Sequence, residues 1–482
     1  MNDVTGAART FDVVVVGNGA LGQSLALVLA RRGVDVALLG EPHRPFAAST
    51  AAGAMLGCFG EVTEALVSSD HGRAKLDLDV QAAKLWPEWA AELADDTAEN
   101  VHSADGTVVI LNAIGVPGID DANYTAIREE LRRYDEPHED VDPAEIDWLD
   151  PDPGARPLRA MFIPGEHAVN SAALLVQLQR AFVRAGGTVI AEQAARVVHA
   201  EGKATGVVLD SGTTLSAAHV VLAAGARSQD VLETVPEIAA QVPPLVSGYG
   251  LSVLLRPPDK SGPRSVIRTP NRAFACGLHV VPRATGEVYV GATNIISATP
   301  VDTPVLGDVH FLLDCVHRQV RRDLYGADIL KIQVGNRPVA LDGFPLLGEA
   351  GLAGLWMMTG TYRDGLHLSP LLAKEMAARI LGETPALDLD RFRPLRQPIQ
   401  TATREEIVAT TATHVLATGY EYDWYTPTFW PQFLEKNLPG ILTQAAEEIH
   451  PTLTPPPELL DVARTDPTLR KLLQEYYAAC AA

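Results

Sequence analysis

Two kinds of residue in this chain are spaced for chemistry: glycines at the ends of apolar runs, and a few polar side chains in its second half. The glycines begin with Gly17-x-Gly19-x-x-Gly22, holding Ala20 and Leu21 between them. Phe11 and the valines 13–16 precede them, and residues 24–33 follow as an amphipathic helix ended by Gly33. A glycine turn between a buried strand and a helix lets a dinucleotide pyrophosphate reach backbone N–H groups at the helix N-terminus. Residues 34–39 complete a βαβ unit. Its second strand should end on an acidic residue for a ribose hydroxyl, about 20 residues past the glycines. Here Gly40 holds that place and Glu41 comes one residue late, followed by His43 and Arg44, which leaves a 2′-phosphate and NADP open.

Further along, residues 48–56 are small or hydroxylated and include Ser49, Thr50, Gly53, Ala54 and Met55. Such a run is too small to build a core, but its backbone can lie close against a flat ligand and donate N–H groups to it. Gly225 turns the chain after a strand at 219–223, at the C-terminal edge of a parallel sheet, where ligands of such sheets bind. A last glycine turn carries Arg363, Asp364, Gly365 and Leu366 ahead of a helix at 369–381, with Pro370 suited to its first turn. Among the polar candidates, Arg337 sits in Gly335-Asn336-Arg337-Pro338, directly after a strand at 329–334.

The elements that must hold these residues follow from periodicity. Helices are expected over 62–93, 120–133, 172–184 and 309–325, and strands over 107–111, 188–190, 195–199, 205–209 and 355–358. Past Pro243 the apolar residues alternate (251, 253 and 255, then 288 and 290), with a hairpin loop at 283–286. This predicts an antiparallel sheet inserted into the parallel one, the shape of a substrate domain. The acidic stretch 135–152 reads as a surface connection.

Composition bounds the partners. The 482 residues carry a formal net charge of −21, which argues against nucleic acid and anionic membrane. The four cysteines form no CxxC pair, so neither a metal site nor a disulfide framework is expected, and the chain reads as reduced and cytoplasmic. The first ten residues are polar and the apolar run after them stops at Gly17, which suits neither a signal peptide nor a membrane span.

From residue 11 to 382 these segments, in order, resemble the FAD-dependent D-amino-acid oxidase superfamily, with glycine oxidase as the nearest member. The segments are VVVVGNGALG, STAAGAMLG, VVLAAGA, HVVPRATGEVYVGAT, GNRPVALDGFPLLG and GTYRDGLHLSP. The resemblance implies an α/β fold: a discontinuous Rossmann-like FAD-binding domain (11–95, 150–235 and 335–394) and an inserted α+β substrate domain (96–149 and 236–334). Residues 395–482 fall outside it as a C-terminal extension. It also implies FAD, held without a covalent bond, in place of NADP. Gly17, Gly19, Ala20, Leu21 and Gly22 match the pyrophosphate turn, and Gly40 and Glu41 the ribose pair, with glycine where an acid is usual. Ser49, Thr50, Gly53, Ala54 and Met55 match the loop along the flavin, Val197 a backbone contact to adenine, and residues 363–366 the loop at the isoalloxazine ring.

Arg337 matches the arginine that grips a substrate carboxylate. His279 and Asn294 match positions facing the substrate, Tyr249 is a third candidate for the wall, and Arg363 is a candidate for a second substrate oxygen. The implied reaction is hydride transfer from an amine-bearing carbon to flavin N5. The imine then hydrolyses and oxygen reoxidises the flavin, giving hydrogen peroxide. Two alternatives share these features: a 2-hydroxy-acid dehydrogenase with another electron acceptor, and an FAD-holding subunit without catalysis. In the extension, seven aromatics fall within residues 420–433: Tyr420, Tyr422, Trp424, Tyr425, Phe429, Trp430 and Phe433. They must be buried against the chain itself, between copies in a homo-oligomer, or as a lid, and packing on the chain itself is the expected outcome. Two short helices, 458–464 and 467–477, follow a proline-rich break.

Overall fold

The computed structural model describes residues 9–97, 101–116, 118–272, 277–283, 286–421 and 427–481. Its first sheet forms around the strand Arg9–Val16, whose valines 13–16 are buried on both faces. That strand pairs in parallel with Val36–Leu39 on one side and with Thr214–Leu222 on the other. Thr188–Ile190 and Leu355–Thr359 extend the parallel set outward. The helices Ala20–Arg31 and Ser369–Ile380 share one core on one face of this sheet, with Leu25, Leu29, Leu372 and Met376 among the buried contacts. Gly22 is what lets the first helix leave the strand so closely, since a Cβ there would lie 1.9 Å from the Gly17 carbonyl oxygen.

A second sheet of nine strands is antiparallel except where Thr107–Asn112 runs parallel to Val266–Arg268. Its long strands are Leu245–Arg256 and Asp328–Ala340, paired antiparallel along almost their whole length. Pro157–Ile163 joins this sheet through Thr107–Asn112. A division of the chain by sheet therefore begins its middle dinucleotide segment after 163 instead of 150, and its last after 340 instead of 335.

Three elements differ from their expected form. The helix expected over 62–93 is split into Glu64–Val67 and Asp70–Thr97, because the Ser69 hydroxyl accepts the Gly72 N–H and starts a new helix. The helix expected over 309–325 spans Leu306–Gln319 and gives way to a 3-10 turn, Arg322–Gly326. Asp150 is the cause, since its N–H and carbonyl take up Val320 O and Arg322 N and pull the chain out of helical register. Arg337 lies inside the strand Asp328–Ala340, not beyond its end. Pro338 is tolerated beside it because this is an edge strand.

Among the described residues the C-terminal extension folds as four helices: Arg404–Glu421, Trp430–Ile449, Pro457–Thr465 and Pro467–Ala481. The last two match the expected pair, and Asp466 caps the final helix by accepting the Thr468 and Leu469 N–H groups. Phe429, Trp430 and Phe433 depart from the expected burial, at 67, 45 and 58% exposed. Trp430 and Phe433 share one face of their helix, and the opposite stripe of Leu438, Leu442, Ala445 and Ile449 is the one that packs inward. Tyr422, Trp424 and Tyr425, like Cys276 and the tip of the 283–286 hairpin, lie outside the described residues, as does the Tyr420 side chain. Among the described residues no helix is long and apolar enough to cross a membrane.

Candidate active site

One cavity of 880 Å³ runs unbroken from the glycine turn of the first sheet to the long strands of the second. At its first end the walls are backbone. Gly17 (φ +112°) has its Cα against the end of the neighbouring strand, where a Cβ would lie 2.5 Å from Ala223 and Ala224 backbone atoms. Gly19, Ala20, Leu21 and Gly225 line the same end. The Ala20 N–H at the helix start is already given to Ser49 Oγ at 3.0 Å. Gly40 (φ +153°) cannot carry a side chain, because Asn18 Oδ1 sits 2.3 Å from where its Cβ would be. The Asn18 amide donates to the Glu41 carbonyl at 3.0 Å, and the Arg44 guanidinium donates to the Asn18 carbonyl. Asn18 and Arg44 both line the cavity beside Gly40, Arg44 being the residue the sequence offered for a 2′-phosphate and Asn18 one it did not single out.

Two of the expected cofactor contacts fall elsewhere. Val197 is buried in its strand with its N–H on Thr234 Oγ1, and the cavity wall there is Gln193, Ala194 and Ala195. Thr50 turns its hydroxyl to the Arg44 and Ala47 carbonyls, both at 2.8 Å, and braces the small-residue loop from behind. Gly53, Ala54 and Met55 of that loop do line the cavity. Gly53 fits under Tyr289 and His279, to which a Cβ would approach within 2.9 and 3.3 Å.

At the far end the walls are side chains. Arg337 Nη1 donates to the Thr293 carbonyl and to Asn294 Oδ1, both at 3.1 Å. No carboxylate pairs with Arg337 among the described residues. Gly250 leaves it room, as a Cβ there would lie 2.4 Å from the guanidinium. Asn294 stands behind Arg337 and donates its amide to the Tyr362 hydroxyl, so it positions both groups without lining the cavity. His279 is buried, stacked on Tyr289, with Nδ1 2.9 Å from the Gly277 carbonyl. A carbonyl only accepts, so Nδ1 carries the proton and Nε2 presents a lone pair. Burial, with Arg268 adding to it, pushes this imidazole down to about 4, which keeps it neutral at ordinary pH.

Tyr249 corrects the expectation of a wall residue. Side chains alternate along a strand, and Gly248 and Gly250 take the cavity face while Tyr249 turns to the opposite one. There it lies in the core beneath the helix Leu306–Gln319, its hydroxyl accepting the Val305 N–H at 3.2 Å.

The turn 361–367 closes the cavity, with Arg363, Asp364, Gly365 and Leu366 all lining it. Lys75 of the helix Asp70–Thr97 pairs with Asp364, and Trp86 Nε1 donates to the His367 carbonyl at 2.7 Å. Arg363 stands 3.4 Å from Glu61, which also binds Arg268 at 2.5 Å and the Asn271 amide. Burial alone would push the Glu61 carboxyl up, but these cations hold it well below the usual carboxylate range.

These walls fit a flavin dinucleotide: a glycine cradle at a helix start, a loop without bulk, and a polar floor. Residues 12–379 match the family described as FAD dependent oxidoreductase. The chain belongs to that family. It is an FAD-dependent oxidoreductase with a mixed α/β fold of the glycine oxidase type and a helical C-terminal extension. It is 28% identical to the glycine oxidase of Geobacillus kaustophilus over 393 residues, 79% of this chain and 96% of that one. The solved structure of glycine oxidase from that organism superposes with a TM-score of 0.69 at 26% identity, covering 82% of this chain and all of its own. The bifunctional protein ThiO/ThiG of Trichormus variabilis is 26% identical over 401 residues, 82% of this chain but 56% of that relative, so the chain spans about half of it.

Proposed function

We propose that this flavoenzyme oxidises a small amino acid or a related amine bearing one carboxylate, and that oxygen is the final electron acceptor. Arg337 carries the reading. It is a guanidinium tied on one side to a carbonyl and an amide oxygen, without an acidic partner among the described residues, facing the cavity of an FAD-dependent oxidoreductase. Two parallel N–H groups meet the two oxygens of a carboxylate and fix its orientation.

In this reading Gly17, Gly19, Leu21 and the amides at the helix start hold the pyrophosphate. Asn18, Glu41 and Arg44 hold the adenosine side, and residues 49–55 and 363–366 hold the flavin without a covalent bond. Cys58 is the cysteine just past that loop, and burial pushes its thiol well up and leaves it unreactive. FAD held there would supply a two-electron oxidation of the substrate, with oxygen as the final acceptor and hydrogen peroxide as its product. The chain's own part is orientation and protonation. Arg337 anchors the carboxylate, and the neutral His279 Nε2 accepts a hydrogen bond from the substrate nitrogen. An imidazole near 4 stays neutral at pH 7 and keeps its lone pair for a substrate N–H, but it is too weak a base to take an ammonium proton, so that proton passes to solvent before the oxidation. The free cysteines Cys58, Cys315 and Cys480 support a cytoplasmic setting.

The test is anaerobic mixing of the yellow protein with glycine, sarcosine, D- and L-amino acids and 2-hydroxy acids. Bleaching by a monocarboxylate amine, with peroxide formed on admitting air, is the expected outcome. Arg337→Ala should lower kcat/KM about a thousandfold, on the scale of a buried charge pair losing one member, and keep its flavin. Bleaching by hydroxy acids alone, or wild-type turnover in Arg337→Ala, overturns the proposal.

A further inference from the structure

We infer that His102, Asp105 and His167 form a surface site for one divalent transition-metal ion of the zinc class, which braces the sheet beneath the flavin loop. That sheet is small. It joins Met55–Leu56, His167–Val169 and His102–Ala104, with His167–Val169 in the middle. His102 pairs with Val169, and residues 167 and 169 share a face of their strand, so the two imidazoles meet with ring centroids 5.3 Å apart. The ladder then skips Ser103, since Ala104 pairs with Ala168. The turn that follows, with Gly106 at φ +73°, brings the Asp105 carboxylate back to His102 Nε2 at 2.6 Å.

Two imidazoles and a carboxylate are a donor set that holds zinc, with a further position left to water. One ligand atom from each of the three lies within 4.8 Å of the others. Ligands on one zinc ion stand about 3.4 Å apart in tetrahedral geometry, and rotation of the exposed His102 and Asp105 side chains closes that gap. His167 Nδ1 accepts the Gly106 N–H at 3.3 Å, so its lone pair already faces the turn that carries Asp105. Burial, with His102 adding to it, pushes the His167 imidazole down and keeps that lone pair available. An ion would take the place of the proton that His102 Nε2 shares with Asp105. None of the three residues lines the cavity, but Leu56 pairs with His167 and Met55, which does line it, with Ala168. Linking residues 102 and 105 to the middle strand therefore stiffens the support of the flavin loop from outside. Cysteine spacing could not reveal such a site, whose ligands are histidines and a carboxylate from two distant segments.

The test strips metal from the flavin-loaded protein with a chelator, then titrates Zn2+ in competition with a colorimetric indicator. Co2+ uptake, followed by visible absorption beyond the flavin bands, reports the ligand field. Wild type is expected to take up one ion per chain and to gain thermal midpoint as Zn2+ is added. His102→Ala and His167→Gln should each weaken uptake at least about 100-fold, the upper end of what losing even an outer partner of a ligand costs, and remove the thermal shift. Asp105→Asn, which keeps the shape but not the charge, should weaken it about tenfold. His317→Ala is the control, because His317 faces Asp314 at 3.4 Å without a third ligand among the described residues, and its uptake should match wild type. Uptake that survives unchanged in His102→Ala and His167→Gln, an equal loss in His317→Ala, or a wild type that takes up no ion overturns the inference. The proposed function stands in each case, since every variant lies off the cavity and should stay yellow.

Discussion

The two ends of the cavity are built from different materials. The dinucleotide end is made of backbone: Gly17 packed onto Ala223, Gly22 onto Gly17, and a helix start whose first amide meets Ser49. The substrate end is made of side chains brought from five separated segments, around residues 61, 268, 279, 337 and 363, with Glu61 tying Arg268 to Arg363 and Arg337 held by Thr293 and Asn294. A backbone wall tolerates no added atom but asks little of its neighbours' identity. A side-chain wall tolerates changes of shape but depends on every charge being answered.

The largest effect is therefore expected from the smallest change. In Gly17→Ala a methyl group would lie 2.5 Å from backbone atoms of Ala223 and Ala224, at a φ of +112° that alanine rarely adopts. Backbone cannot swing aside as a side chain can, so the protein should emerge colourless and bind no added FAD by fluorescence quenching. Arg337→Ala, at the other end, should stay yellow. A Gly17→Ala protein with normal flavin content would erase the distinction between the ends.

Between the ends lies a joint that pH should expose. Glu166 is buried, and its Oε1 accepts the Phe59 and Gly60 N–H groups at 2.6 and 3.0 Å, pinning the turn that carries Glu61 to Arg363 and Arg268. Burial pushes its carboxyl up to about 7, against the pull of those amides and of Arg268. The folded state therefore binds a proton that the unfolded state has already lost. Stability from this group is present in full below its ordinary value of 4.5 and is lost as pH rises towards 7, by about 3 kcal/mol. Glu166→Gln keeps an acceptor for both amides and removes the titration. Urea unfolding at pH 5 and pH 8 should show the wild-type decline flattened in the variant, and parallel declines would remove Glu166 from the account.

The backbone end was legible in the sequence because its signal is local. Gly17, Gly19 and Gly22 declare a turn within six residues, and the valines before them declare a strand buried on both faces. The replacement of an acid at position 40 by Asn18 was not legible, since nothing in spacing says that two loops 22 residues apart compete for one volume. Glu61 escaped for the same reason: ion pairs between distant segments leave no periodicity. The four-helix form of the extension was half visible, in its caps and prolines at 457–467. Arg404–Glu421 and Trp430–Ile449 carry local signals too, the capping box Thr403-x-x-Glu406 and Pro431 in a first turn, but without a clear apolar period beside them they did not declare helices.

Tyr249 is the instructive error, because its signal was present. It is in phase with Leu251, Val253 and Leu255, whose alternation marks the buried rear face of the strand Leu245–Arg256. Its neighbours Gly248, Gly250 and Ser252 take the front, where Ser252 Oγ reaches the Ala51 carbonyl of the flavin loop and Gly250 makes room for Arg337. Tyr249→Phe should therefore cost only the hydroxyl's contacts with Val305 and Asp308, about 1–3 kcal/mol in chemical unfolding. The KM for a carboxylate substrate and the flavin spectrum should not move. A changed KM would put the rear face of the sheet in communication with the site, and the strand's alternation would then no longer separate chemistry from core.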